Sequence, residues 1–260
     1  MKHLKQIAAI TVVAIVLASC SKDYGYNTPD PSINATEISA AGDISNALTQ
    51  FRDLLGNLNT TPGQTSGRRE VNWDGVAVTF TNNGNFPPDF FNNTDANGPN
   101  GRKRGLVYAN TGVAFRVDSS AFSEIDPTYA ATFKAFSPKK LIAPVSGNVT
   151  EIIFKVPGTN TDATVKGFGL ILSDVDVANL TTVEFFEGYK SLGVFKVPAR
   201  TDAEGFSFLG VHFPDNKVSR VKITAGNAAL GAGVKDVSEG GSKDLVVLDD
   251  FIYSEPVAVN

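Results

Sequence analysis

Between residues 163 and 213 the chain alternates apolar runs of strand length with short polar breaks, and no helix-length amphipathic pattern intervenes. Residues 164–172 are β-branched and apolar, residues 182–186 and 191–197 flank a Glu187-Gly188-Tyr189-Lys190 turn, and residues 206–213 follow a polar loop. Further strands are predicted at 106–109, 113–117, 219–224 and 245–253, and at 151–156, where Ile152, Phe154 and Val156 alternate with Glu151, Ile153 and Lys155. Residues 71–80 are expected to begin the sheets. Strands at this spacing, without crossover helices, predict an all-β fold: an antiparallel β-sandwich, jelly-roll-like, in one domain over residues 42–260. One helix is predicted at 43–55, with apolar residues at 44, 48, 51 and 55 to lie on the sandwich, Asp43 to cap its start and Gly56 to end it. Residues 128–136 read as a second, short helix, and 81–103, rich in Asn, Gly and Pro, as a long loop.

The first residues follow another pattern. Lys2 and Lys5 precede an apolar run at 7–18, interrupted only by Thr11 and too short to span a bilayer comfortably, so residues 1–19 read as an export signal peptide. Leu17-Ala18-Ser19-Cys20 resembles the lipobox of bacterial lipoproteins. That resemblance implies a diacylglyceryl group on the Cys20 thiol, cleavage before Cys20, and attachment to the cell envelope through the lipid. Cys20 is the sole cysteine of the chain, which suits a thiol committed to lipid. Ser21 is similar to lipoproteins sent to the outer membrane, and Ser21-Lys22-Asp23 to a surface-export signal of Bacteroidetes-type lipoproteins. Residues 20–41, polar and without period, read as the lipidated Cys20 followed by a flexible tether.

Composition adds two points. Eighteen Phe and 24 Gly against one Met and one Trp favour strands and turns. The net charge is −4, and −6 once Lys2 and Lys5 are removed with the signal, so no nucleic-acid partner is expected.

Several segments together carry a further resemblance: Gly67-Arg68-Arg69-Glu70-Val71-Asn72-Trp73-Asp74-Gly75, Phe86-Pro87-Pro88-Asp89-Phe90-Phe91-Asn92, the run from Gly167-Phe168-Gly169 to Asp174-Val175-Asp176, Gly205-Phe206-Ser207-Phe208-Leu209-Gly210-Val211, and Asp249-Asp250-Phe251-Ile252-Tyr253. Over residues 44–256 the chain resembles a family of uncharacterised exported bacterial β-sandwich proteins, some of which end in a Pro-Glu-Pro sorting tail. The resemblance implies an extracytoplasmic role and no particular activity.

Catalytic chemistry is poorly supported. The one histidine past the signal, His212, sits in a strand beside Phe206 and Phe208 and reads as a packed residue, and there is no Gly-x-Ser-x-Gly elbow. Gly231-Ala232-Gly233 lacks the strand and helix of a dinucleotide site. Carboxylates remain: Glu70, Asp74, Asp174, Asp176, Asp249 and Asp250 recur within apolar or motif segments, where a buried acid needs a partner. The sandwich is expected to close by bringing its first and last strands together, with Asp249 or Asp250 reaching the segment 69–74. Asp249 or Asp250 would then meet Arg68, Arg69 or backbone N–H groups, or share a structural calcium with Glu70 and Asp74. Strand alternation places the two aspartates on opposite faces. A second calcium reading, Asn93-Thr94-Asp95-Ala96-Asn97-Gly98, lacks the closing Glu and reads better as a surface loop. Phe86, Phe90 and Phe91 either plug the core under their loop, the favoured reading, or face a ligand. The chain is thus expected to be a non-enzymatic envelope binding module for glycan or a surface protein, with a two-carboxylate glycan hydrolase or a purely structural envelope component as alternatives.

Overall fold

The computed structural model describes residues 32–202 and 205–259, so Cys20, the signal peptide and most of the tether lie outside the described residues. In chain order the elements are β1 (Thr36–Gly42), α1 (Ser45–Leu55), β2 (Arg68–Val71), β3 (Asn83–Phe86), β4 (Leu106–Tyr108), β5 (Phe115–Asp118), α2 (Tyr129–Thr132), β6 (Leu141–Pro144), β7 (Val149–Lys155), β8 (Asp162–Thr164), β9 (Gly167–Ser173), β10 (Thr182–Glu187), β11 (Lys190–Lys196), β12 (Phe206–His212), β13 (Arg220–Thr224), β14 (Val247–Ser254) and β15 (Val257–Ala258).

Two antiparallel sheets pack together as a sandwich. The first runs β1-β12-β9-β14-β6-β5-β3, with β2 also on β14; the second runs β11-β10-β13-β7-β8-β15, with β4 also on β7. The arrangement is jelly-roll-like because the chain passes repeatedly between sheets: β9, β12 and β14 lie in the first, β10, β11 and β13 in the second. β7 buries Thr150, Ile152 and Phe154 and turns the residues between them outward, the alternation expected of a sheet with one wet face.

The first sheet is covered on both faces. Its inner face, with Leu170, Leu209 and Phe251, meets Ile152, Phe154 and Val221 of the second sheet in the main core. Its outer face carries two smaller clusters, Phe51 and Leu48 of α1 over Ile171, Phe208 and Ile252, and Phe122, Tyr129 and Phe133 over Leu141 and Val247. This double burial explains why β9 has no exposed residue along Gly-Phe-Gly-Leu-Ile-Leu-Ser.

α1 forms where its period predicts, burying Ala47, Leu48, Phe51 and Leu55, and ends at Gly56, whose N–H donates to Arg52 O at 3.0 Å with φ at +90°. Asp43 accepts the Ser45 N–H at 3.0 Å, just ahead of the first turn. The helix sits close because the sheet is flattened beneath it. Gly210 pairs with Gly169 across β12 and β9, and a Cβ on either would stand 2.6–2.7 Å from the Phe51 ring.

Three expectations are corrected. Residues 36–41, read as the end of the tether, belong to β1, which pairs with β12 from Thr36↔His212 to Gly42↔Phe206. Residues 71–80 are not a long strand: β2 ends at Val71, Trp73 drops into the core, and a 3-10 turn at Val78–Phe80 leaves Val78 exposed. The loop at 81–103 contains β3, whose four residues are too few to show a period.

Candidate functional site

β14 runs through the middle of the first sheet and carries two adjacent acids. It pairs with β2 in the register Phe251↔Val71, Ile252↔Glu70, Tyr253↔Arg69, so the last long strand does close on the segment 69–74. The pairing with β9 slips between Leu248↔Leu172 and Phe251↔Leu170. Asp249 and Asp250 therefore form a bulge opposite Ile171, and Leu248 and Phe251 both point into the main core. The bulge overturns the opposite-face expectation. Both carboxylates meet Ser137, whose Oγ donates to Asp250 Oδ1 at 2.8 Å and lies 3.3 Å from Asp249 Oδ1. Asp249 also accepts the N–H groups of Phe136 at 2.6 Å and Asp250 at 2.8 Å. Burial, then the neighbouring Asp250, pushes the Asp249 carboxyl up to about 8, and burial also raises Asp250. Of the expected partners, backbone N–H groups are found and an arginine is not.

The arginines are engaged elsewhere. Arg69, fully buried, holds Glu255 in a bidentate pair with both contacts at 2.8 Å, and donates to the carbonyl of Thr61 at 2.8 Å. Arg68 and Arg52 converge on Glu70, at 2.7 Å from Arg68 Nε and at 2.8 and 2.9 Å from Arg52. Burial pulls the Glu70 carboxyl up, but its bonds to Arg52 and Arg68 outweigh that and hold it below the ordinary range.

Glu70 and Asp250 line one cleft of about 420 Å³ together with Asn72, Phe90, Arg102 and Arg104. The Arg102 guanidinium lies over the Phe90 ring, 4.2 Å from its centroid. Phe86, Phe90 and Phe91 are 4–7% exposed and interlock with Trp73, Phe80 and Tyr108, so they are the plug under their loop. Phe90 and Phe91 also share the apolar part of the cleft's lining with Val71, Val76 and Pro99.

The expected calcium ligands do not assemble: Glu70, Asp74, Asp249 and Asp250 do not bring three carboxylate oxygens within 4.8 Å of one another. Among the described residues Asp174, Asp176 and Asp236 do. Asp174 and Asp176 follow β9, and Asp236 lies in the β13–β14 connection. Arg200 bridges the first two, Nη2 to Asp174 Oδ1 at 2.7 Å and Nε to Asp176 Oδ1 at 2.5 Å. Asp244, fully buried just before β14, accepts the Asp176 N–H at 3.0 Å. Burial and the Asp236 charge push Asp174 up to about 8, and burial takes Asp244 to about 6. Asp236 and Asp244 escape a sequence reading, since each stands singly in a loop and only the fold joins them to Asp174-Val175-Asp176. In the other proposed calcium loop, Asn93 and Asp95 accept the N–H groups of Asp95 and Asn97 at 2.8 and 2.9 Å, as surface turns do.

His212 borders a second cavity of about 420 Å³ with Lys166, Lys217 and Glu255. Burial, with Lys166 nearby, lowers its pKa, and among the described residues no acid hydrogen-bonds it. Among the described residues it therefore has no orienting carboxylate of the kind a catalytic imidazole uses. Neither a scan against protein-family models nor a search of the curated proteins returns a match to this chain.

Proposed function

We propose that this chain is a lipoprotein of the bacterial cell envelope, anchored through Cys20 at the outer membrane, whose sandwich is a non-catalytic binding module for a glycan. The observation that carries the binding reading is the make-up of the cleft beside β2. Glu70 is held rigid and anionic by Arg52 and Arg68, with Asn72 and two arginines around it and phenyl rings beneath. Fixed planar hydrogen-bonding groups over an apolar floor suit a sugar, which offers hydroxyls at its rim and C–H groups on its faces. Binding to an array of envelope and extracellular glycans tests this. Wild type should retain a subset that Glu70→Ala loses at least tenfold, with the melting temperature recorded for both. Capture of a surface protein alone would replace the glycan, and no ligand of either class would leave a structural role. For the anchor, Cys20→Ser should abolish palmitate labelling and release the chain from the membrane fraction.

A second reading, a glycan hydrolase, is favoured by one observation: the two carboxyls lining this cleft are pushed apart, Glu70 downward and Asp250 upward, as in a base and acid pair. Release of reducing ends from a bound glycan, lost in Asp250→Asn, would establish it; intact glycan after prolonged incubation keeps the module non-catalytic.

A further inference from the structure

We propose that Asp174, Asp176 and Asp236 bind a calcium ion that ties together the β9–β10 and β13–β14 connections at one end of the sandwich. The inference is independent of the cleft and of any ligand there. Each aspartate offers one oxygen, and the three lie within 4.8 Å of one another. At metal–oxygen distances of about 2.3–2.6 Å one calcium reaches oxygens up to about 4.6–5.2 Å apart, so three oxygens this close can share one ion.

A second observation points to a ligand. The Asp174 side chain is fully buried, and its Oδ2 meets no hydrogen-bond donor although Oδ1 meets Arg200. Asp244, also fully buried and bonded to the Asp176 backbone, leaves its Oδ2 without a donor as well. Buried carboxylate oxygens without donors are rare because each forfeits its hydration. A cation supplies the missing partner.

The charge count agrees. The charges of Asp174, Asp176 and Asp236 all act on the guanidinium of Arg200, which pairs with the first two. Asp236 is held in place by the N–H groups of Ser238 at 2.6 Å and Leu245 at 2.8 Å, contacts that orient its carboxylate and leave its charge. The donors are all oxygen, with neither imidazole nor thiolate, which selects a hard cation over zinc or copper. A set built from three protein carboxylates suits calcium, whereas magnesium keeps several waters and is usually held by one or two carboxylates.

The test uses the full chain in detergent, stripped with EDTA and dialysed. Calcium chloride should raise the melting temperature by several degrees and titrate calorimetrically to about one ion per chain, with magnesium at least tenfold weaker. Asp176→Asn, at the least buried of the three positions, should remove the calcium-dependent rise while the chelated form melts no lower than wild type. Asp174→Asn serves as the second variant: it keeps the side chain's size while replacing a carboxylate oxygen with an amide, so its melting should ignore calcium. Equal melting of wild type in calcium and chelator, with no heat of binding, overturns the site. A full calcium shift retained by either variant overturns the ligand assignment, and a larger rise with magnesium overturns the choice of ion.

Discussion

A methyl group on Gly210 would stand 2.6 Å from Phe51 Cδ2, closer than carbon atoms approach without displacement. Gly210→Ala should therefore lower stability by about 1–3 kcal/mol in denaturant unfolding, and Phe51→Leu in the same background should cost less than it does alone, because the smaller side chain gives the methyl room. Additive effects would mean that the helix shifts as a body instead. Arg69 invites a different experiment. Its pair with Glu255 is shut off from solvent, so Arg69→Met leaves a buried carboxylate without its cation and should cost about 3–5 kcal/mol, whereas Arg69→Met with Glu255→Leu should recover most of that. At this scale the sequence discloses some roles and hides others. Three phenylalanines in one Asn- and Pro-rich loop announce a plug, because exposed together they would form an adhesive patch. The glycines of β9 and β12 give no sign of their purpose, since the ring that requires them arrives from a separate element.

The bulge in β14, with the buried Asp174 after β9, couples stability to pH. Asp249 carries its proton in the folded state up to about pH 8, against 3.8 when exposed, with Asp250 beside it and Glu70 and Asp74 beyond. A raised carboxyl contributes stability that is fully present below pH 3.8 and is lost as pH rises towards 8, because the unfolded chain releases its proton first. Asp43, Asp126 and Glu70 are lowered and act oppositely, their contribution fading as pH falls below their ordinary range. Thermal melts in chelator should accordingly be higher at pH 5 than at pH 8, and Asp249→Asn should flatten that slope and melt higher than wild type at pH 8. An unchanged slope in the variant would assign the titration elsewhere. The bulge also marks where element-level reading stops. β7, β9, β10, β12 and α1 are long and periodic enough to be visible in the sequence. β3, β6, β8 and β15 are two to four residues each and borrow their conformation from neighbours. A period-two pattern carries no mark of the extra residue at Asp249-Asp250, so the reading places there two faces where the fold has one.

For the whole molecule, the sandwich class and its closure on residues 69–74 follow from strand spacing and from acids set in apolar runs, while the gathering of Asp174, Asp176, Asp236 and Asp244 depends on topology and is invisible before folding. The position of β14 has one more consequence, in the order of manufacture. This strand is hydrogen-bonded to β9, β2 and β6, so the centre of the first sheet is supplied by the strand that leaves the ribosome after all the others described in that sheet. Nascent chains ending before Val247 lack that keystone and should be digested by protease at native conditions, whereas chains released past Ser254 should resist it; resistance of the shorter chains would show that the two halves of the sheet fold without their join. A sheet built this way cannot close until β14 has been made, so its earlier strands wait, extended and unpaired at the centre, for a partner supplied later.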